Sequence, residues 1–159
     1  MGHIRSALGG GALATVVLTV VLFGIEAVFG YRLVPLFANF CTISPVGFCA
    51  PGSLAGTVVT WSAFAVWFVA LWPLIFAAFT WWMPGKSGSV HGALFAVALW
   101  GGYVGIVTAQ LIQTAGDQSG TEPPLLVATL FAYLCYGVVL GVGYDYFAEH
   151  RTLFIEDTD

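Results

Sequence analysis

Charged side chains are scarce in this sequence. Asp, Glu, Lys and Arg make up 8% of its 159 residues, whereas a soluble domain carries about a quarter. With 59% hydrophobic residues and a mean hydropathy of +0.93, the chain has no polar coat that would dissolve it in water. Lipid must therefore be the solvent for most of its surface, and the lipid bilayer is its first expected partner.

Positive charge is especially rare. Four Lys and Arg residues stand against eight Asp and Glu residues. This balance excludes a nucleic-acid reader, which needs a basic face to neutralise phosphates. Most of the acids lie from Asp145 to Asp159, outside any apolar run, and we predict a short acidic cytoplasmic tail over residues 148–159. An acid-biased polar surface with little lysine is typical of proteins from salt-loving organisms.

Cysteine is also sparse, and motifs that would hold a metal or a nucleophile are missing. The sequence has no CxxC pair, Cys/His cluster, Walker loop, nucleophile elbow or HExxH motif, so we expect no metal and no cofactor. Cys41 and Cys49 lie close together in a long loop, where they either form a disulfide, which we favour, or remain free thiols. Cys135 lies within an apolar run as a small packing residue.

Long apolar runs dominate what remains. A bilayer core about 30 Å thick needs about 20 apolar residues in a helix, and four runs are long enough: 8–29, 57–79, 91–112 and 125–144. These runs predict an all-α polytopic membrane protein with four transmembrane helices in an up-down bundle. The transmembrane domain covers 1–147, with an external loop over 31–56. The first run is too long for a cleaved signal peptide, so we retain it as a span.

The four cations predict an orientation. Arg5, Lys86 and Arg151 fall on one side of a four-span protein, and Arg32 falls on the other. The positive-inside rule then places both termini in the cytoplasm of a multi-pass cell-membrane protein.

Small residues at helical spacing predict the packing faces, because small side chains let membrane helices approach closely. Pro73 should also kink the second span and free a carbonyl one turn earlier. The segments "GALATVVL" and "GALFAVAL" open the first and third spans, an echo that would fit two parallel-related hairpins. The predicted faces comprise Ala7, Gly11, Thr15 and Thr19 in the first span, Gly101, Gly105 and Ala109 in the third, and Gly137 and Gly141 in the fourth.

Glu26 is the one carboxylate inside the apolar runs. Helical geometry places it on the same face as Thr15 and Thr19. In one interpretation it is a helix-end residue that reaches the interface and pairs loosely with Arg32 or with glutamines; in the other it is a buried acid that binds a proton, a cation or a polar ligand. The second interpretation predicts a polar pocket in the outer half of the membrane, lined by Glu26, Thr19, Gln110, Gln113, Thr129 and Tyr133.

His91 starts the third span, with Ser89 as the predicted N-cap. A histidine at a membrane face can ligate haem or relay protons. Haem between helices usually needs two axial ligands, and His3 and His150 lie in the terminal regions. We therefore do not favour a ligand role for His91.

Two long stretches resemble a known group of sequences. "HGALFAVALWGGYVG", "LLVATLFAYLCYGVVLGVGYDYF" and the opening "GGGALAT" are similar to an uncharacterised family of small four-helix membrane proteins of haloarchaea. The resemblance implies a fold and a habitat. It implies no activity, because none is established for that family.

Three functions compete at this point. The first is a non-catalytic accessory subunit of a membrane assembly such as a respiratory complex, because catalytic motifs are missing and the aromatic-rich spans could face partner helices. The second is a small oligomeric transporter or channel that uses the pocket around Glu26. A membrane-embedded enzyme is the weakest of the three. We expect other membrane subunits or further copies of the chain as partners.

Overall fold

The computed structural model describes residues 2–30, 54–82, 87–114 and 123–148. These residues form four long apolar helices packed as a bundle, so the predicted all-α fold is confirmed. The loop with Cys41 and Cys49 and the tail from 149 lie outside the described residues. Each helix includes one predicted span and extends beyond it: Gly2–Phe29, Leu54–Phe79, Gly88–Thr114 and Pro123–Phe147.

Local sequence explains several helix ends. Gly30 has a φ of +70° and its N–H donates to the Glu26 carbonyl at 2.9 Å, which closes the first helix with a left-handed glycine. The fourth helix starts at two prolines, residues that suit a first turn because its N–H groups have no helical acceptor. The third helix starts at Gly88, where the Ser87 carbonyl accepts from Val90 at 3.1 Å. Ser89 therefore lies inside the first turn, and its predicted N-cap role is wrong.

The second helix contains a break in its hydrogen-bond register. Leu54–Ala65 and Trp72–Phe79 are α-helical, and Val66–Leu71 between them is a π-helical turn. The Trp72 N–H donates five residues back, to the Trp67 carbonyl. Pro73 follows at once, as expected for a residue that cannot donate to a regular ladder. A 3-10 turn over Thr80–Trp82 ends the segment.

The fourth helix lies between the first and the third, and packs closely on both. The backbone of the second helix approaches the first mainly along Val66–Phe79. The second helix reaches the other two through aromatic rings: Phe76 contacts Phe95 of the third helix and Tyr144 of the fourth, with centroids 5.4 and 5.7 Å apart. The fully buried core contains Leu18, Phe68, Phe76, Tyr136 and Leu140.

Glycines set the distance between the third and fourth helices. A Cβ on Gly92 would overlap the Gly137 carbonyl, and a Cβ on Gly141 would overlap that of Gly88. The predicted packing role of Gly137 and Gly141 is thus confirmed. The predicted packing role of Gly11 is confirmed too, because a Cβ on Gly11 would lie 2.6 Å from the Val69 carbonyl oxygen.

The predicted packing face of the third helix makes no close contact at Gly101 or Gly105 within the described bundle, and the side chain of Ala109 lies outside the described residues. Gly101 and Gly105 are exposed, and a Cβ on either would meet nothing within 4 Å. The third helix carries two sets of small residues, and the fourth helix packs against the one near Gly88 and Gly92. Spacing alone does not distinguish the two sets, since each lets a neighbouring backbone come close.

Both chain ends of the described bundle lie at the same end. Gly10 lies against the backbone of Leu140–Tyr144, and Gly88 lies against Gly141. We call this end, with the start of the first helix and the close of the fourth, the terminal end. The opposite end, near Phe29 and Leu54, is the far end.

Candidate functional site

Two buried polar atoms in the described part of the chain have no hydrogen-bond partner. They are Oε2 of Glu26, on the first helix, and the hydroxyl of Tyr103, on the third. Buried polar groups are almost always paired, because an unpaired one loses its hydration and gains nothing in return. Such atoms require an explanation, and a ligand, water or proton is the usual one.

Glu26 and Tyr103 lie at nearly the same depth. Glu26 follows Gly10 by sixteen residues, and Tyr103 follows Gly92 by eleven. On the fourth helix, Gly10 contacts Leu140–Tyr144, whereas Gly92 contacts Gly137 and Gly141. Gly92 therefore lies about one helical turn nearer the far end than Gly10 does. At a rise of about 1.5 Å per residue, Glu26 lies about 24 Å and Tyr103 about 21 Å from the level of Gly10. The two residues that carry the unpaired atoms therefore lie at a similar depth in the far half, and we call this depth one layer.

Aromatic rings surround Tyr103 on the inside of the bundle. The rings of Tyr103 and Tyr133 are 6.0 Å apart, and Tyr133 lies 6.3 Å from Phe68. Phe64 continues the row, 4.8 Å from Phe68. All four side chains are buried. Tyr103, one of the two residues with an unpaired buried atom, thus belongs to a wall of buried aromatic rings.

The threonines of the predicted pocket donate their hydroxyl protons within their own helices. Thr19 donates to the Thr15 carbonyl at 2.8 Å, and Thr129 donates to the Leu126 carbonyl at 3.0 Å. The Thr129 hydroxyl also accepts from Nε1 of Trp100 at 3.3 Å, which joins the third and fourth helices. These hydroxyls can offer a ligand only lone pairs.

The structure brings the predicted pocket residues together only in part. The backbones of Glu26 and Thr129 lie near the level of Tyr103, whereas those of Thr19 and Tyr133 lie about 13 Å from the level of Gly10, nearer the terminal end. The Tyr133 ring nevertheless contacts the Tyr103 ring. The side chains of Gln110 and Gln113 lie outside the described part of the structure, as do Cys41 and Cys49.

His91 lies at the opposite end of the bundle from Glu26. It is half-buried in the first turn of the third helix. Within the described ranges no group of three His, Cys, Asp or Glu side chains could hold a metal ion. The cysteine of the fourth helix, Cys135, is a half-buried free thiol.

Asp145 is a buried carboxylate that the sequence interpretation placed outside the apolar runs. The fourth helix extends to Phe147, so Asp145 is helical and only 9% exposed. Its Oδ2 accepts the N–H of Gly88 at 2.8 Å, which caps the third helix from the fourth. An anionic acceptor suits a helix start, where N–H groups are unpaired and the helix dipole is positive. We assign Asp145 a structural role.

Tyr103 and Asp145 were not among the site residues predicted from the sequence. Tyr103 carried a signal, because it lies seven residues before Gln110 and shares its helix face. Asp145 carried a weaker signal. Gly141 precedes it by one helical turn, so both residues lie on the face of the fourth helix that contacts the third helix.

The four helices of this bundle are each long and apolar enough to cross a membrane, which places the chain in the class of small multi-pass membrane proteins. A family model described as a family of unknown function (DUF6789) matches residues 1–154, and the chain belongs to that family. No curated protein and no solved structure matches the chain significantly.

Proposed function

We propose that this chain binds a small polar or cationic solute in the far half of its bundle, as a small transporter or channel. The observation that carries the proposal is the pair of buried atoms that have no partner among the described residues, Oε2 of Glu26 and the Tyr103 hydroxyl, at a similar depth. Ionisable groups at membrane depth are costly, and they mark substrate and ion pathways, proton relays and ligand counter-ions.

Flux measurements in proteoliposomes test this proposal. Purified protein would be compared with empty vesicles for uptake of radioactive sodium, of labelled methylammonium, and of protons by a pH-sensitive dye. We expect saturable flux of at least one of these cations, and its loss in Glu26→Gln, which keeps the shape of the side chain and removes the charge. Flux that is absent, or that is equal in the variant, would contradict the proposal.

A second candidate function is the accessory subunit of a larger membrane assembly, such as a respiratory complex. The exposed glycines Gly101, Gly102 and Gly105 support it, because a Cβ on each would meet nothing within 4 Å. Small residues on a lipid-facing helix let another helix pack closely. A helix of another membrane subunit is the occupant that this candidate requires.

Gentle detergent extraction distinguishes this second candidate. An accessory subunit would co-purify with other chains, and Gly105→Leu would release them without lowering the melting temperature of the bundle. A protein that runs alone, or only as copies of itself, would contradict the accessory role.

We further propose a cell-membrane location with both termini cytoplasmic, in a salt-loving archaeon. The support for the orientation is Arg5, Lys86 and Arg151, which fall on one side of four spans. The support for the habitat is the scarcity of lysine and the excess of acids.

A further inference from the structure

We infer that the solute bound in the far half is a primary alkylammonium cation, a compact organic amine in its protonated form. This inference rests on the proposed function, since it names the class of solute for the same site. It is argued from the charge of the layer, from its number of oxygen atoms and from its aromatic wall.

The charge of the layer favours a cation. Among the residues whose side chains the structure describes, the charged ones are Arg5, Glu26 and Asp145. Arg5 and Asp145 lie at the terminal end, so among these residues Glu26 is the one ionisable acid or base of the far half, and Arg32 lies outside the described residues. A cation that enters this layer exchanges its hydration for a direct interaction with the carboxylate, in an environment where such an interaction is strong.

The number of unpaired oxygen atoms favours an ammonium group over an inorganic ion. Oε2 of Glu26 and the Tyr103 hydroxyl are the two buried oxygens without partners in the described residues. Hard metal cations take about six oxygen ligands. A primary ammonium group carries three N–H donors, so it needs fewer oxygen partners than a metal cation does.

The aromatic wall suits the organic part of such a cation. Tyr103 and Tyr133 form a buried pair with ring centroids 6.0 Å apart, and Phe64 lies further along the same row of rings. Aromatic faces attract organic cations through their quadrupoles, and rings also contact alkyl groups favourably. A strongly hydrated ion such as sodium would gain little from these surfaces.

Ligand-dependent thermal unfolding in detergent tests the inference. Propylammonium chloride would be compared with sodium chloride and with 1-propanol, which has a similar shape and no charge. We expect only propylammonium to raise the melting temperature in a saturable manner, because a ligand that binds the folded state stabilises it. The shift should vanish in Glu26→Gln and need about tenfold more ligand in Tyr103→Phe, which loses one hydrogen bond.

Tyr146→Phe is the matched control, because Tyr146 is 74% exposed near the terminal end and its variant should respond as the unaltered protein does. The melting temperature without ligand reports whether each variant is folded. Equal shifts with all three additives, or an unchanged shift in both Glu26→Gln and Tyr103→Phe, would overturn the inference. If propylammonium gives no shift while proteoliposomes still show Glu26-dependent flux of protons or sodium, the solute class is wrong and the proposed function stands. If binding and flux are both missing, both proposals fail.

Discussion

At the scale of single residues, Tyr136 donates a hydrogen bond to a carbonyl for which the second helix has no N–H donor. The Trp72 N–H, which a regular α-helix would direct to Phe68, donates to Trp67. The residue five positions after Phe68 is Pro73, which has no N–H to donate. The Phe68 carbonyl instead accepts the Tyr136 hydroxyl at 2.7 Å, inside the bundle. The side chain and the π-helical turn therefore form one structural unit.

Tyr136→Phe should destabilise the bundle. It removes the hydroxyl that donates to the Phe68 carbonyl and leaves that carbonyl buried without this donor. We expect a loss of about 1–3 kcal/mol in the free energy of unfolding, measured by denaturant titration in detergent. The exposed Tyr146 provides the control, since Tyr146→Phe should change that free energy by less than about 0.5 kcal/mol. Equal effects of the two changes would show that the Tyr136 hydroxyl contributes nothing.

At the scale of helices, two kinds of contact hold the bundle together. Glycines bring the fourth helix against the backbones of the first and third, and aromatic rings fill the space toward the second. Gly11 contacts the second helix and Gly92 contacts the fourth. These glycines are the first residues of the two similar segments "GALATVVL" and "GALFAVAL", so each segment contacts the helix that follows it in the chain. The predicted pair of parallel-related hairpins is consistent with this arrangement.

Gly137→Ala should separate the third and fourth helices. The added methyl group would overlap the Gly92 carbonyl, and a Cβ at Gly137 would also lie 2.5 Å from the Ala96 Cβ. Because one obstacle is backbone, we expect a loss of about 1–3 kcal/mol in the free energy of unfolding. Gly101→Ala is the matched control on the open face of the third helix, where alanine should cost nothing and favours helix by up to about 1 kcal/mol. A larger loss for Gly101→Ala would contradict the assigned packing faces.

Sequence patterns could predict the helices but not every contact between them. Four runs long enough to cross a bilayer set the fold, because length and hydropathy alone determine whether a helix can span. The third helix, however, offers two sets of small residues, and only its neighbours select Gly88 and Gly92 over Gly101 and Gly105. A hydropathy pattern also ends at a charge, which is why the fourth span was predicted to stop before Asp145.

The candidate site was predictable to a similar degree. Glu26 stood out, because a carboxylate within an apolar run is rare. Whether the Glu26 oxygen would be paired depended on side chains of other helices. The depth of Tyr103 depends on the register of the third helix against the fourth. That register is set by Gly92, a close contact that spacing cannot specify.

At the scale of the whole molecule, the bundle differs between its two ends. The terminal end is joined by backbone contacts at Gly10 and Gly88 and by the Asp145 cap. In the far half, the second helix approaches the first less closely and two buried oxygens have no partner in the described residues. This difference between the ends supports the proposal that a solute binds in the far half. This account depends on four crossings of a bilayer.

Cysteine labelling of intact cells and of permeabilised cells tests the four crossings most directly. Cys41, Cys49 and Cys135 would be replaced by serine, and single cysteines would be introduced as Arg5→Cys and Tyr146→Cys at the terminal end and Leu54→Cys at the far end, all at exposed side chains. With a membrane-impermeant maleimide, we predict that Leu54→Cys reacts in intact cells, whereas Arg5→Cys and Tyr146→Cys react only after permeabilisation. If Arg5→Cys and Tyr146→Cys behave oppositely, or if all three cysteines react alike, the chain does not cross the membrane four times and the account is wrong.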